Sequence, residues 1–458
     1  MAGIRNLLFW CLLAFLLVSD IVDCKKARSR GKGSRRSSRA KGRRARISSS
    51  GRGPEDCVID YDSVPEGYIH PFVVGPNAEG FLYPSLEEKG RILKIPPGEG
   101  TIAACPGSNN KLQLNGKASA TISCEKGSLY FEQKAITWSQ LGCRSKLRPS
   151  LESEATSCGS SAASASSLSL RGTSYSVNWP ISAGVVVPQI KICFNEEAET
   201  AIYTQHVIDG RHINAKIVEP DRPGFKKDGM FSVDVNRIYG KDDQGALFLQ
   251  LLEDGSHLTE KKQHYLARGH LAPDSDFVLE AEQDATYFYA NVVPQWQAVN
   301  NGNWKSLENS VRELAEIRGR AIKVWTGIHD VLHLPNANSD PIELFLGLSE
   351  KRRVIPVPAL LWKVVYDRTA KEALAIVAVN DVRGFGSGSD PTNDLHDPPC
   401  RDVCAKATWV DWDTSDLSSG LTFCCSVSDI RKIIPTVPNL GRVKDLYSRG
   451  DKPGASRG

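Results

Sequence analysis

Arg268, Gly269 and His270 stand side by side, and within about forty residues come Asn291, Pro294 and Gln295, then Asn300, Gly302, Trp304, Leu307 and Glu308. Each polar member of this set has a chemical use. A histidine with an ordinary pKa near ~6.5 is largely neutral at pH 7 and above, so His270 can accept a proton from water. The planar guanidinium of Arg268 matches two oxygens of an oxyanion at once. An amide oxygen such as that of Asn300 suits a hard cation that keeps most of its water, and Asn is equally suited to cap the start of a helix. Glu308 lies eight residues beyond Asn300, about two turns along one helical face; from there it reaches water around such a cation, or instead pairs with Arg312 one turn on.

In order and spacing these residues resemble the signature of the DNA/RNA non-specific endonucleases: an Asp-Arg-Gly-His box, an Asn-x-x-Pro-Gln box and an Asn-x-Gly-x-Trp-x-x-Leu-Glu helix start. The longer stretch Arg-Gly-His-Leu-Ala-Pro-Asp-x-Asp-Phe is most similar to the secreted double-stranded ribonucleases of insects and other arthropods. The resemblance covers about Tyr175 to Pro438. It implies an α+β domain of the ββα-metal type and hydrolysis of phosphodiester bonds in RNA and DNA, double-stranded RNA foremost, leaving 5′-phosphate ends. It makes Asn300 the protein ligand of Mg2+, with Mn2+ also suited, and His270 the general base. Arg268 binds the scissile phosphate, Glu308 holds water around the ion, and Asn291 has a weaker role as an active-site positioner or a turn residue before Pro294. Because contacts to the phosphate backbone carry little sequence information, cleavage should be largely sequence-independent. Two departures stand out. Ala267 occupies the place of the box's Asp. A second arginine that many bacterial relatives carry on an upstream strand has no clear counterpart near Glu199–Tyr203, with Arg211 and Lys226 as substitutes. The rival readings are a secreted nucleotide phosphodiesterase or pyrophosphatase, and a nucleic-acid-binding protein without catalysis.

These residues need a scaffold, and the pattern around them supplies one. Trp304, Leu307, Val311, Leu314 and Ala315 recur at helical spacing before Gly319, which is placed to end a helix. Strand-like runs occur at Lys191–Phe194, Ala201–Ile208, Ala321–Gly327, Ala359–Asp367 and Ala373–Asn380. Upstream, the short apolar runs Tyr68–Val74, Arg91–Ile95, Lys111–Leu114 and Ala118–Ser123 lie between Gly, Pro and Asn turns, as in a small all-β module. The expected division is a signal peptide over 1–24, a basic segment over 25–53, a β-rich module over 54–158, a linker over 159–172, the catalytic domain over 173–440 and a flexible tail over 441–458.

The apolar run Leu7–Val18 after Arg5 is too short to span a bilayer and reads as a secretory signal, and no later segment is apolar enough to do so. Setting aside Cys11 and Cys24, in or at the edge of that signal, ten cysteines remain, an even number in a chain bound for an oxidising compartment, so up to five disulfides are expected. Cys400, Cys404, Cys424 and Cys425 have loosely zinc-like spacing, but adjacent cysteines make poor tetrahedral ligands. Thirteen Lys/Arg and no acid fall between Lys25 and Gly53, whereas from Pro54 onward 43 basic residues face 51 acidic ones. That segment is a propeptide cut near Arg43-Arg44-Ala45-Arg46, a retained arm for nucleic acid or anionic surfaces, or an inert solubilising linker, and any polyanion site in the acidic body must be local. Nothing in the chain specifies an oligomeric state. His329 and His333 are expected on an exposed loop, and Gly384–Gly388 as a flexible loop without the lysine of a phosphate cradle.

Overall fold

A computed structural model describes residues 55–450 apart from 78–79, 163–166, 218–221, 260, 262, 350–351 and 382–397. The expected signal peptide, the basic segment, residues 451–458 and the glycine-rich loop at 384–388 lie outside the described residues.

A long antiparallel sheet forms the frame. Its strands are β1 (Ser150–Gly159), β2 (Arg171–Ser182), β3 (Val185–Asn195), β4 (Thr200–Asp209), β7 (Ala321–Val331), β8 (Pro358–Asp367), β9 (Glu372–Val379) and β10 (Thr422–Cys425), paired in the order β10-β9-β8-β7-β4-β3-β2-β1. All five strand-like runs of the sequence fall in it. The central strands are buried on both faces. One face carries the main core, and the other carries a second cluster in which Trp362, Val364 and Val377 meet Val427, Ile430 and Ile434 of the C-terminal segment.

On the main-core side sit α1 (Val235–Ile238), α2 (Lys241–Leu252) and a two-stranded ribbon of β5 (Leu266–His270) and β6 (Val292–Trp296). The ribbon continues into α3 (Gln297–Asn301) and α4 (Asn303–Arg318). The predicted apolar stripe of α4 is its buried face: Trp304, Leu307, Val311, Leu314 and Ala315 are all sealed from solvent. Gly319 ends the helix in the left-handed region, at φ 58°, where lack of a Cβ removes the steric penalty.

The upstream residues form a three-stranded sheet (Ser85–Glu87, Gly90–Ile95, Cys57–Asp60) and a five-stranded one that starts at Phe72–Val74 and ends at Lys134–Ile136. Of the expected strand runs there, Lys111–Leu114 is instead a turn region in which Leu112 makes a single bridge to Cys143. The module shares the main core: Phe72 stands edge-on to Trp179, with ring centroids 4.6 Å apart, and the Tyr83 hydroxyl donates to Glu282 at 2.8 Å.

Two boundaries differ from expectation. β1 begins at Ser150, inside the expected module, and runs across its boundary while pairing along β2, and the described part of 159–172 is no free linker, because Leu168 and Leu170 are buried. The described part of the C-terminal tail is docked: Lys444–Asp445 runs parallel to β9, Leu446 is buried, and Arg318 donates to the Ser448 carbonyl at 2.6 Å. An apolar residue every few positions suffices for such docking even where no long periodic run announces it. Five disulfides join Cys57 to Cys124, Cys105 to Cys143, Cys158 to Cys193, Cys400 to Cys425 and Cys404 to Cys424, which leaves the four C-terminal cysteines unable to serve as zinc thiolates.

Candidate active site

The first two sequence boxes are the two strands of the ribbon. β5 and β6 run antiparallel, with Arg268 opposite Pro294, Gly269 opposite Val293 and His270 opposite Val292. Gly269 is required here because a Cβ at that position would lie 2.3 Å from Oε1 of Gln295. The third box follows as the helix, and α3 packs on both strands. Two strands and a helix are thus the local frame that the motif order implies.

Asn291 is fully buried and faces backbone. Its Oδ1 accepts from the Ala272 amide at 3.0 Å, and its Nδ2 donates to the carbonyls of Ala272 and Thr286, each at 2.9 Å. The side chain therefore fixes the path of the chain immediately after His270. Its two expected roles, active-site positioner and turn residue, meet in one arrangement: all three of its hydrogen bonds go to backbone next to His270 or just before the ribbon's second strand.

Arg268 is aimed by a cage of rings. Its Nε donates to the Tyr289 hydroxyl at 2.8 Å and its Nη2 to the Asn236 carbonyl at 3.1 Å, while the guanidinium carbon lies 5.0 Å from the centre of the Tyr239 ring. Cation–π contact and two hydrogen bonds set the plane of the fork, and among the described residues Nη1 has no hydrogen-bond partner.

His270 lies against Phe225 and the edge of Tyr287, with centroids 5.3 and 5.0 Å away. Among the described residues its buried Nε2 has no hydrogen-bond partner. Burial pulls the imidazole down to about 4; the Asp274 carboxylate opposes that shift and Arg222 adds to it. The neutral ring able to accept a proton is therefore the form present at physiological pH.

The helix begins differently from expectation. It is broken at Gly302, φ −94° and ψ −123°, where the close approach leaves room only for glycine: a Cβ there would meet the Ala298 and Ser419 carbonyl oxygens at 2.5 Å. Asn300 thus lies inside the preceding turn α3 and caps nothing. Asn303 takes the structural role at the break and donates to the Asp413 and Gly420 carbonyls at 2.8 and 2.7 Å. Two turns along one continuous helix does not describe how Asn300 and Glu308 are related. The Nδ2 of Asn300 reaches Oε1 of Gln297 only at 3.4 Å, and its Oδ1 takes no hydrogen bond among the described residues.

Glu308 does not pair with Arg312, which instead donates to Asp276 at 2.9 Å and to Asn309. Among the described residues the Glu308 carboxylate has neither a hydrogen bond nor an ion pair. Burial raises it to about 7, against the opposing charge of Lys363. A half-buried carboxylate without a partner beside a helix turn that offers a free amide oxygen is a set of hard oxygen donors, and this donor chemistry fits a hydrated divalent ion.

The sequence reading missed the charged frame around these groups. Asp276 is buried, hydrogen-bonded to His206 Nε2 at 2.8 Å and paired with Arg312; although burial favours its neutral form, these partners win and hold it at about 2. Lys363 is buried in β8, donates to Thr326 Oγ1 at 2.7 Å, and lies 5.1 Å from the Trp304 ring centre. Asp274 follows His270 by four residues, and its charge acts on both His270 and Glu308. A signal existed for two of them: His206 and Lys363 are titratable residues inside otherwise apolar strands.

The substitutes considered for a second arginine fare poorly. Arg211 is exposed on the turn after β4, and Lys226 lays its ammonium over Phe288 at 4.7 Å. His329 and His333 are on strands, the first of them buried, so the expected exposed loop is not found there. An apolar strand flanked by β4 and β8 takes up His329 despite its polarity.

The chain is similar to several known proteins. The family model described as DNA/RNA non-specific endonuclease matches residues 171–430. The chain is 29% identical to a salivary endonuclease of Lutzomyia longipalpis over 82% of its own length and 83% of that protein's. It is 26% identical to salivary protein Tsal2A of Glossina morsitans morsitans, covering 86% and 94% respectively. A shorter stretch, 29% of this chain and 37% of the relative, is 32% identical to the mitochondrial nuclease EXOG of Mus musculus.

Proposed function

The chain belongs to the DNA/RNA non-specific endonuclease family, and from that premise we propose a secreted, Mg2+-dependent endonuclease that cuts RNA and DNA with little regard to sequence and leaves 5′-phosphate ends. That it is a nuclease follows from the family and from its nuclease relatives. The observation that carries the finer reading is the pairing, on one short strand, of a neutral, half-buried imidazole at His270 with a caged guanidinium at Arg268. Double-stranded RNA as preferred polymer rests on the Arg-Gly-His-Leu-Ala-Pro-Asp-x-Asp-Phe stretch and the cysteine-rich module. Secretion rests on the apolar N-terminus, the five disulfides and the salivary relatives.

In this reading His270 takes a proton from the attacking water, and Arg268 meets the charge that grows on the phosphate oxygens. Glu308, as carboxylate, accepts hydrogen bonds from water held at the site, and Asn300 offers its amide oxygen to the ion. When bound, Mg2+ supplies Lewis-acid neutralisation of phosphate charge and stabilises the leaving oxygen.

The deciding experiment offers the purified protein double-stranded RNA, single-stranded RNA, DNA and mononucleotide esters, each with and without Mg2+. Cleavage of polymers within the chain, with 5′-phosphate products and fastest on duplex RNA, is expected. Turnover of mononucleotide esters alone would replace this reading with a phosphodiesterase.

A further inference from the structure

Glu282 is a buried ionisable group that the proposed chemistry does not use. It sits in the short helix Glu280–Asp284, is 2% exposed, and pairs with no cation among the described residues. Burying a carboxylate in this way is costly unless donors surround it. The Leu279 amide donates to Oε2 at 3.1 Å, and the hydroxyl that donates to Oε1, at 2.8 Å, belongs to Tyr83 of the upstream module. Burial pushes the carboxyl up, and the Tyr83 bond is the strongest of the contacts that oppose this. A carboxylate inside the region that matches the nuclease family thus takes its one side-chain donor, among the described residues, from outside that region.

The module grips the same helix elsewhere. Lys146 donates to Glu280 at 2.9 Å and lies 4.0 Å from Asp284, so positions 280, 282 and 284 all meet the module. Those lysine pairs are exposed and therefore weak, which leaves the part-buried Tyr83 bond to carry most of the grip. Behind the helix, Gln189 donates to the Glu282 carbonyl at 2.6 Å and accepts from Trp179, the ring that Phe72 of the module meets edge-on. The far end of the helix runs into the site. The Thr286 carbonyl accepts from Asn291, Tyr287 sets its edge against His270 at 5.0 Å and donates to Asp274 at 2.9 Å, and Tyr289 accepts from Arg268 at 2.8 Å.

We propose that Tyr83 is a positioning residue of the active site: through Glu282 it fixes the segment 279–289, and with it the rings that hold the His270 imidazole and the Arg268 fork. The inference rests on the nuclease reading, and it gives the upstream module a part in turnover rather than in gripping the polymer. Tyr83 acts on the orientation of the groups that meet the phosphate, where a shift of about 1 Å costs on the order of 10²-fold in rate.

The test uses the full chain as Tyr83→Phe, Glu282→Gln and the double variant, each with a thermal melt. Tyr83→Phe removes one hydroxyl and leaves a buried carboxylate short of a donor, so its melting temperature should drop. At a temperature where the variant is fully folded, kcat on duplex RNA should fall roughly tenfold, while KM and binding of the duplex in chelator stay at wild-type values. Glu282→Gln keeps an oxygen for Tyr83 and should retain most of kcat. The double variant strands no buried charge, so its melt should recover while its kcat stays low, which separates orientation from stability. A readout without turnover follows His270 itself: carbethoxylation by diethylpyrocarbonate, mapped by mass spectrometry on the His270 peptide, should run several-fold faster in Tyr83→Phe as the packing over the buried Nε2 loosens. Wild-type kcat or wild-type labelling in folded Tyr83→Phe, a raised KM with unchanged kcat, or a kcat that recovers together with the melt in the double variant would each overturn the proposal. A wild type that cuts no polymer would sink the nuclease reading instead, and the labelling of His270 would still report on Tyr83.

Discussion

Gly269 and Gln295 touch across the ribbon so closely that the glycine has no room for a methyl group: the missing Cβ would sit 2.3 Å from Oε1 and 2.8 Å from Cβ of the glutamine. Two motif positions far apart in sequence are thus one packing contact, and it lies beside both Arg268 and His270. Gly269→Ala should destabilise the fold by about 1–3 kcal/mol through overpacking. It should lower kcat by on the order of 10²-fold, because the base and the phosphate fork are displaced together. Adding Gln295→Ala to it should recover part of both losses, as read from thermal melts and initial rates. No recovery in the double variant would show that the two residues act separately.

Two titrating groups bear on the pH dependence, and burial shifts them in opposite directions. His270 is depressed to about 4, so the base stays neutral from alkaline pH down to that value and contributes no acid limb near 6.5. Glu308 is raised to about 7, so its carboxylate form is lost as the pH falls through 7. At low Mg2+ the log of kcat/KM should therefore rise with pH up to about 7 and then level. Raising Mg2+ should move that limb to lower pH, since a cation favours the carboxylate. Glu308→Gln should remove the limb along with most of the activity. A limb at 6.5 that survives in Glu308→Gln would assign the titration to another group.

His270→Ala should lower kcat by about 10²–10⁴ while binding of duplex RNA in chelator stays close to wild type. Near-wild-type turnover in a folded His270→Ala protein would remove the proposed base.

How far the sequence carries this picture depends on the kind of signal. The α4 stripe and the five central strands are legible because periodic burial leaves a periodic pattern, and the ribbon is legible as the order of its motifs. The need for glycine at the Gly302 break is not, because the Ser419 backbone that crowds it lies more than a hundred residues away. The docked tail is hidden for the same reason: Arg318 reaches Ser448 only through the fold. The role of Asn291 shows up only once its three backbone partners are seen.

Asn291→Ala is accordingly a stability variant before it is a catalytic one. It strands the buried Ala272 amide, the Ala272 carbonyl and the Thr286 carbonyl, each of which costs about 1–3 kcal/mol when left unpaired. A drop of several kcal/mol in denaturant melts is expected, with residual activity at low temperature where the fold persists. Full stability with lost turnover would instead make Asn291 a substrate contact.

Metal dependence separates the role of Asn300 from that of the fold. Its amide oxygen accepts nothing from the protein among the described residues, so Asn300→Ala strands no buried group and should leave the thermal melt nearly unchanged. Hard oxygen donors favour Mg2+ and Mn2+, and a chelator should abolish cleavage that either ion restores. If Asn300 supplies the protein's direct bond to the ion, Asn300→Ala should behave at ordinary Mg2+ as the wild type does in chelator, and Asn300→Asp should retain binding of the ion with altered rate. Titrating Mn2+ by electron paramagnetic resonance reads this without any turnover: the wild type should hold about one ion that Asn300→Ala releases. Equal Mn2+ binding by both proteins would move the ligand elsewhere, and full cleavage in excess chelator would remove the metal from the chemistry altogether.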